Sequence, residues 1–327
     1  ENERVFKYYK QTIDDFMRFY EFKPQVIACD LHPNFLSSIY AVELASRYKI
    51  KNIKVQHHYA HLISAMAENR LFDQKAIGVI FDGTGLGLDN TIWGGEFLIG
   101  DLKGFERLGH FKYFKLPGGD IATRQTVRPA VSLLLNFMEK KDIKKIFKYR
   151  KIDFIIEMIE KNINSPLTSS SGRIFDAVSA ILGICYQSTY EAQAPMMLES
   201  LAEEFKGTGM VYKYEIQKNE KNIYEVNIVP VIKEIINDLK KHEKKYIAFS
   251  FHKTIAFIIL DMVKLLYEKT KIKNVVLSGG VFQNAVLLTL ALNLLKKNKF
   301  NVLLHKNLSP NDSCIAFGQA VYAALNI

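Results

Sequence analysis

The chain has 327 residues, 48% apolar and 24% charged, enough for one large domain or two lobes with substantial cores. Its net charge of +10 comes from dispersed lysines, which points away from nucleic acid and toward anionic ligands or an acidic partner. No apolar run reaches about eighteen residues, so no membrane span is expected, and the charged start ENERVFKYYKQ lacks the apolar core of a secretory signal.

In chain order, the apolar spacing of Val5 to Tyr20 predicts a helix that Pro24 ends. QVIACD (Gln25 to Asp30) reads as a buried strand, Pro33 to Tyr48 as a helix, Ile50 to Gln56 as a strand and His58 to Leu71 as a helix. Ala76 to Phe81 reads as a strand ended by the turn Asp82-Gly83-Thr84-Gly85. Thr91 to Gly100 and Phe105 to Phe114 complete a β-meander. LPGGD (Leu116 to Asp120) is a loop, and helices fill much of Arg124 to Asn162. Within them the basic segment Glu139 to Lys151 is an amphipathic helix with a solvated face. Ser169 to Gly172 caps a helix over Arg173 to Ile184, and Glu191 to Phe205 is a further helix. Met210 to Ile228 alternates as a hairpin turning near Asn219 to Asn222, and Lys233 to Lys245 is expected to be an exposed helix.

The last eighty or so residues repeat the opening order: helix Phe251 to Lys269, strand Asn274 to Leu277, helix Phe282 to Lys297, strand Phe300 to His305, helix Asp312 to Ala324. This predicts a duplicated α/β architecture with an N-terminal lobe over 1–120, a connecting region over 121–245 and a C-terminal lobe over 246–327. A ligand cleft is expected beyond the carboxyl ends of the strands.

His57 and His61 are four apart, which stacks them on one helical face where both can reach one divalent metal. Asp312, at the matching position of the last helix, is the candidate third ligand. The alternative is a pair of helix-start histidines satisfied by backbone or water. His58 points off that face and is a candidate for substrate contact or proton transfer. In Asp82-Gly83-Thr84-Gly85 the glycines let backbone amides approach a phosphate, and Thr84 can donate as well. No GK[ST] follows, and a hairpin rather than a helix comes next, so neither a Walker A motif nor a dinucleotide fingerprint is present. A strand, a DGTG turn and a hairpin match the phosphate clasp of actin-like ATPases. Gly279 and Gly280 stand between a strand and a helix, where an anion is favoured, and Asn284 is close enough to join them. Asp176 and Glu191 could each bind ribose hydroxyls or be ordinary surface carboxylates. Arg124 and Arg128 after LPGGD could bind an anion or simply face solvent. No nucleophile with its base is evident. Cys29, Cys185 and Cys314 form no CxxC pair and read as small core residues of a cytoplasmic chain.

VQHHYAH, FDGTGLGLDNTIWGGEF, LPGGD, SSSGRIFDAVSAILG, YEAQA, LSGGVFQN and SPNDSCIAFGQA together resemble the C-terminal catalytic region of HypF, the hydrogenase-maturation carbamoyltransferase, over essentially the whole chain. A more distant resemblance is to TsaD, the tRNA threonylcarbamoyl transferase, in the HxxxH, the GGV turn with its following Asn and the late Asp. The resemblance implies a two-lobed actin-like (ASKHA) α/β fold. It implies a divalent metal, zinc or iron, on His57, His61 and Asp312. It implies contacts to ATP (with Mg) or carbamoyl adenylate at Asp82, Gly83, Thr84, Gly85, Asp176, Glu191, Gly279, Gly280 and Asn284, with His58 as the catalytic candidate. The acceptor it implies is the C-terminal cysteine of HypE, carbamoylated on the way to the cyanide ligand of [NiFe]-hydrogenase. A YrdC-like domain, in the longer protein or in trans, would make the adenylate; none is in this chain, which begins without Met as an excised piece would. The segments IWGGEF and LPGGD favour HypF over O-carbamoylation of a small molecule and over tRNA modification; a non-catalytic nucleotide-binding scaffold is the remaining alternative. YEAQA carries Ala192 where Gly is expected in many relatives.

Overall fold

A computed structural model describes residues 3–147 and 149–327. Glu1 and Asn2 of the charged start, and Lys148 of the basic segment, lie outside the described residues. The chain opens with α1 (Glu3–Phe19), β1 (Val26–Asp30), α2 (Leu36–Tyr48), β2 (Lys51–Val55) and α3 (His57–Glu68). β1 and β2 pair in parallel as a small sheet of their own. Next come β3 (Ala76–Leu86), β4 (Ile92–Gly100), β5 (Phe105–Phe111) and β6 (Phe114–Lys115). The connecting region holds α4 (Ile121–Arg124), α5 (Val127–Leu134), α6 (Lys140–Ile146), α7 (Ile152–Glu160), β7 (Leu167–Thr168), α8 (Ser171–Ile181) and α9 (Gln193–Glu203). The hairpin β8 (Glu215–Lys218) and β9 (Tyr224–Asn227) and α10 (Val229–Asp238) follow. The chain closes with α11 (Lys244–Thr270), β10 (Asn274–Ser278), α12 (Ala285–Lys297), β11 (Asn301–Leu303) and α13 (Ile315–Ala324).

The large sheet runs β11–β10–β3–β4–β5–β9–β8, with β6 and β7 attached beside β4. The antiparallel meander β3–β4–β5 is present as expected, and β10 joins it in parallel, with Ser278 opposite Ile80. Strands from the two ends of the chain therefore share one sheet. Side chains alternate between its faces. Ile77, Val79, Phe81, Phe97, Val275 and Leu277 enter a large core shared with α5, α8 and α11. Ala76, Ile80, Leu98 and Val276 face a second core built from α3 and α13. The central strands are covered on both faces, which explains their nearly continuous apolar runs. The duplicated units meet through α3 and α13, and the contact is close: a Cβ at Gly318 would lie 2.1 Å from the Ala60 carbonyl oxygen.

Several elements depart from the sequence expectation. β3 does not end at Phe81 but continues to Leu86, because β4 pairs on both sides of a register shift between Phe81 and Gly85. The expected DGTG turn is thus an irregular stretch inside a strand, and the reversal falls at Gly87 to Thr91. The strand expected to reach Phe114 stops at Phe111. The segment Lys233 to Lys245 is not one exposed helix. α10 buries Val231, Ile232 and Ile235, and α11 begins at Lys244, earlier than the expected Phe251. Short 3-10 turns, Gly280–Gln283 and Asp312–Cys314, precede α12 and α13 where continuous helices were expected. Among the described residues α11 is the helix long and apolar enough to cross a bilayer, and 72% of its most apolar window is buried in the protein.

Two local features yield predictions. Asp89 organises the β3–β4 reversal: its Oδ1 accepts from Thr91 Oγ1 (2.7 Å) and Trp93 Nε1 (2.8 Å), its Oδ2 from Tyr113 OH (2.6 Å). Burial pushes its carboxyl up, but these bonds and the Arg107 charge bring it down to about 2. A folded-state pKa below the unfolded value means stabilisation that is present above about pH 4 and lost as pH falls through about 2. Asp89→Asn is expected to cost about 1 kcal/mol at pH 7 after allowing for solvent screening. The difference from wild type should shrink progressively in denaturant curves taken from about pH 4 toward about pH 2. Ala192 caps α9 at φ 57°, ψ 15°, a left-handed conformation unfavourable for any residue with a Cβ. Ala192→Gly should stabilise by about 1 kcal/mol, raising the melting temperature by about 2 °C.

Candidate functional site

The site forms where five segments meet. Asp30 is the last residue of β1, His57 the first of α3, and His61 lies one turn on. Asp82 sits at the irregular point of β3, Ser278 ends β10 and Asp312 opens the turn before α13. α3 starts sharply because Gln56 caps it: the Gln56 side chain accepts from the Tyr59 amide at 2.9 Å.

His57 Nδ1 is 3.2 Å from Asp30 Oδ2. Its Nε2 is 3.2 Å from Asp82 Oδ2 and 3.5 Å from Asp312 Oδ1. His61 Nε2 lies 3.6 Å from Asp312 Oδ1 and 3.9 Å from Asp82 Oδ2. One ligand atom from each of His57, His61, Asp82 and Asp312 falls within 4.8 Å of the others. The structure thus brings together the three expected ligands and adds Asp82, which sequence reasoning had assigned to phosphate. His61 Nε2 is fully buried and has no hydrogen-bond partner. An unpartnered imidazole nitrogen aimed at two carboxylate oxygens is a donor set that suits a divalent ion such as zinc or iron. The side chains of His57, His61 and Asp82 are 8%, 0% and 8% exposed, whereas that of Asp312 is 71% exposed, so the cluster opens to solvent on the Asp312 side.

The electrostatics agree. Burial pushes His57 down, but Asp30, Asp312 and Asp82 hold it well above its ordinary value. Burial likewise opposes protonation of His61, and Asp312, Cys314 and Asp82 raise it. Burial would raise both aspartates, yet the histidines carry Asp82 well below the carboxylate range and Asp312 to about 2. The carboxylates favour positive charge at this point, and a cation bound there would take the place of the histidine protons.

The glycines have mixed roles. Gly85 makes room for the imidazoles: a Cβ there would lie 2.6 Å from His58 Cε1 and 3.0 Å from His57 Cδ2. Gly83 has nothing within 4 Å of where a Cβ would stand, and Thr84 is exposed. Both face outward, compatible with ligand contact. Gly279 and Gly280 do not present free amides as expected. Gly280 N–H donates to Asp82 Oδ1 at 3.0 Å and Gly279 N–H to the Pro310 carbonyl at 2.9 Å. Gly279 is at φ 101°, and a Cβ on it would lie 2.2 Å from the Phe81 carbonyl oxygen. The helix start at α8 closes the other side: Ser170 Oγ donates to the Gly83 carbonyl at 2.5 Å and accepts from the Arg173 amide at 3.1 Å.

The remaining candidates are more dispersed. His58 is off the cluster face and fully buried. Its Nδ1 pairs with Gln56 Nε2 at 3.1 Å, its Nε2 has no hydrogen-bond partner, and burial lowers it to about 3. It is neutral, with a lone pair or N–H held in the interior. Asp176 is buried on α8, pushed up to about 6 by desolvation against the pull of Arg173, whose Nε lies 2.8 Å away but out of hydrogen-bond alignment. Asn284 caps α12, accepting from the Leu287 amide at 2.8 Å and donating to His252 Nε2 at 2.9 Å. Glu191 is exposed just ahead of α9. Arg124 and Arg128 do not form a shared anion site: Arg128 is buried against Gln125 and the Pro117 carbonyl.

Sequence reasoning missed Asp30, Glu68, Ser278 and His305, and underrated Cys314. All three cysteines are buried and free, but Cys314 Sγ also lies 3.3 Å from His61 Nδ1. Burial raises its thiol, and His305 and His61 bring it down to about 6. Asp30 carried one usable signal: like Asp82, it is an acidic residue directly after an apolar run.

The fold and the His/Asp cluster define a Kae1-like domain of the actin-like class. A family model described as "Carbamoyltransferase, Kae1-like Domain, second subdomain" matches residues 78–319, and one described as "HypF Kae1-like domain" matches residues 1–68. The chain belongs to the HypF family. It is 34% identical to the probable carbamoyltransferase HypF of Methanocaldococcus jannaschii, over 97% of this chain and 41% of that protein. It is 35% identical to the carbamoyltransferase HypF of Rhodobacter capsulatus, over 97% of this chain and 42% of that one. A crystal structure of full-length HypF in a phosphate- and nucleotide-bound form superposes with a TM-score of 0.93 at 38% identity, covering all of this chain and 42% of that one. The chain thus spans about two fifths of the length of these relatives.

The Gly279 contact is directly testable. Gly279→Ala adds a methyl group against the β3 backbone at a strained φ, and is expected to cost about 3 kcal/mol. Urea titration of the purified variant would reveal this as an unfolding midpoint well below that of wild type.

Proposed function

We propose that this region transfers a carbamoyl group from carbamoyl adenylate, made from carbamoyl phosphate and ATP, to the C-terminal cysteine of HypE, on the route to the cyanide ligand of [NiFe]-hydrogenase. The observation that carries this reading is the convergence of His57, His61, Asp82 and Asp312 beside the outward-facing Gly83 and Thr84. In the transfer, the acceptor thiolate attacks the carbamoyl carbon, the bond from that carbon to the phosphate oxygen breaks, and AMP leaves. Carbamoyltransferase relatives of matching sequence, and a full-length HypF with phosphate and nucleotide bound, support the choice of chemistry.

His57, His61, Asp82 and Asp312 would hold a divalent metal, zinc or iron, able to polarise a carbonyl or phosphoryl oxygen as a Lewis acid. Asp30 orients His57 through its Nδ1. Gly83 and Thr84 are the proposed phosphate contacts, with Gly85 leaving room for the imidazoles and Gly279 and Gly280 holding Asp82 from behind, and the start of α8 adds a favourable helix end for an anion. Asp176, Glu191 and Asn284 are proposed for the nucleoside. His58 is carried over as the candidate for proton transfer, although its burial lowers it to about 3 and makes it a weak base as it stands. The nucleophile belongs to the partner, in keeping with three buried cysteines here. A YrdC-like domain supplies the adenylate, and three unpaired thiols fit a reducing cytoplasm.

The decisive experiment supplies carbamoyl adenylate directly to this chain with HypE and follows the mass of the HypE C-terminal peptide. Carbamoylation is expected without any YrdC-like domain, together with one divalent ion per chain by elemental analysis. His61→Ala should lose the ion and at least ~100-fold in rate, the scale of a lost electrostatic catalytic group. An unmodified HypE cysteine would overturn the reading, and a shift of tRNA mobility in its place would redirect it to nucleic-acid modification.

A further inference from the structure

Behind His61, away from the cluster, a line of polar groups runs through the protein. His61 Nδ1 is 3.3 Å from Ser278 Oγ, and Ser278 Oγ is 2.8 Å from His305 Nε2. His305 Nδ1 is 2.7 Å from Glu68 Oε2. Glu68 and His305 side chains are 5% and 3% exposed. The other Glu68 oxygen, Oε1, accepts from the Asn307 amide at 2.9 Å and the Leu308 amide at 3.1 Å, so the carboxylate is anchored at both ends. Neither Glu68 nor His305 touches the ligand atoms.

The order of donors follows from Glu68. A carboxylate only accepts, so His305 must donate through Nδ1–H, and a ring carrying that one proton accepts at Nε2. Ser278 satisfies that nitrogen by turning its hydroxyl hydrogen toward it, which leaves the Ser278 oxygen as an acceptor facing His61. The neutral His61 ring therefore carries its proton on Nδ1, and its Nε2 lone pair points at Asp82 and Asp312. Cys314 Sγ, 3.3 Å from the same Nδ1, is a second neighbour of that N–H. His57 reaches the same tautomer in one step, because Asp30 accepts directly from its Nδ1.

We propose that Glu68, His305 and Ser278 are positioning residues that lock His61 in its Nδ1–H tautomer and so prepare it as a ligand. This rests on the reading of the cluster as a cation site, but the tautomer is a property of the protein without any ion.

Glu68→Gln tests the direction of the relay. The amide oxygen keeps the two backbone bonds, and the amide N–H now faces His305. His305 must accept at Nδ1 and carry its proton on Nε2; Ser278 reverses, and the His61 proton moves to Nε2. Long-range proton–nitrogen correlation spectra of the metal-free chain, recorded at a pH high enough for the His61 ring to be neutral, should show His61 as Nδ1–H in wild type and as Nε2–H in Glu68→Gln. Zinc affinity, measured by chelator competition, should fall about 10- to 100-fold, the usual cost of losing such an outer partner, with the melting temperature nearly unchanged. Wild-type His61 protonated on Nε2, or an Nδ1–H that persists in Glu68→Gln, overturns the proposal. A tautomer that reverses in a chain that binds no zinc upholds the relay and removes the cation reading. Equal zinc affinity with an unchanged tautomer does the opposite. If Glu68→Gln does not fold, Ser278→Ala cuts the same line: a mixture of His61 tautomers supports the relay, and pure Nδ1–H overturns it.

Discussion

The site depends on one pairing, that of β3 with β10. These parallel strands come from opposite ends of the chain, and their register sets Ser278 opposite Ile80. Just past that point the backbones nearly touch, Gly279 lying against the Phe81 carbonyl and the Gly280 amide bonding to Asp82. Asp82 is thereby turned so that Oδ1 is engaged by the backbone while Oδ2 faces the histidines. Without the pairing Asp82 would be one more acidic residue on a glycine-rich strand.

Around that fixed carboxylate the protein arranges a charge pattern that is unfavourable alone. Three aspartates surround two buried imidazoles. Desolvation opposes every charge in the group, yet both histidines are held above their ordinary range and the carboxylates below theirs. Such an arrangement persists because each group compensates another, and because backbone geometry, from the Gln56 cap to the Gly280 amide, prevents the groups from moving apart. Strong mutual perturbation in one cluster is a physical mark of a functional site.

Much of the fold was legible in the sequence because it depends on local periodicity. The two α/β units, the meander and the hairpin at Asn219 to Asn222 follow from apolar spacing and turn residues. DGTG was misread as a turn because glycines usually punctuate; here cross-strand pairing with Trp93 and Ile92 extends the strand beyond them. The lysine-rich stretch near 240 concealed a helix whose apolar face is buried, since charge density says little about the opposite side. In the site, His57, His61 and Asp312 could be anticipated from the four-residue spacing and the repeated architecture. Asp82 as their neighbour could not, since its position depends on a strand formed far along the chain. Glu68 and His305 are 237 residues apart and meet only in the folded protein, so no local pattern announces them.

That separation has a bearing on how the protein is made. Asp82 and the Gly280 amide that orients it are 198 residues apart. At about 5 to 20 residues per second a ribosome needs roughly 10 to 40 s to cover that distance. Throughout that interval the two histidines and Asp82 exist without β10, without Asp312 and without α13 pressed on α3 at Gly318. The nascent chain therefore carries histidines and acids that are not yet arranged to select among ions. Assembly of the complete cluster waits until Asp312 and α13 have been made and α13 closes against α3.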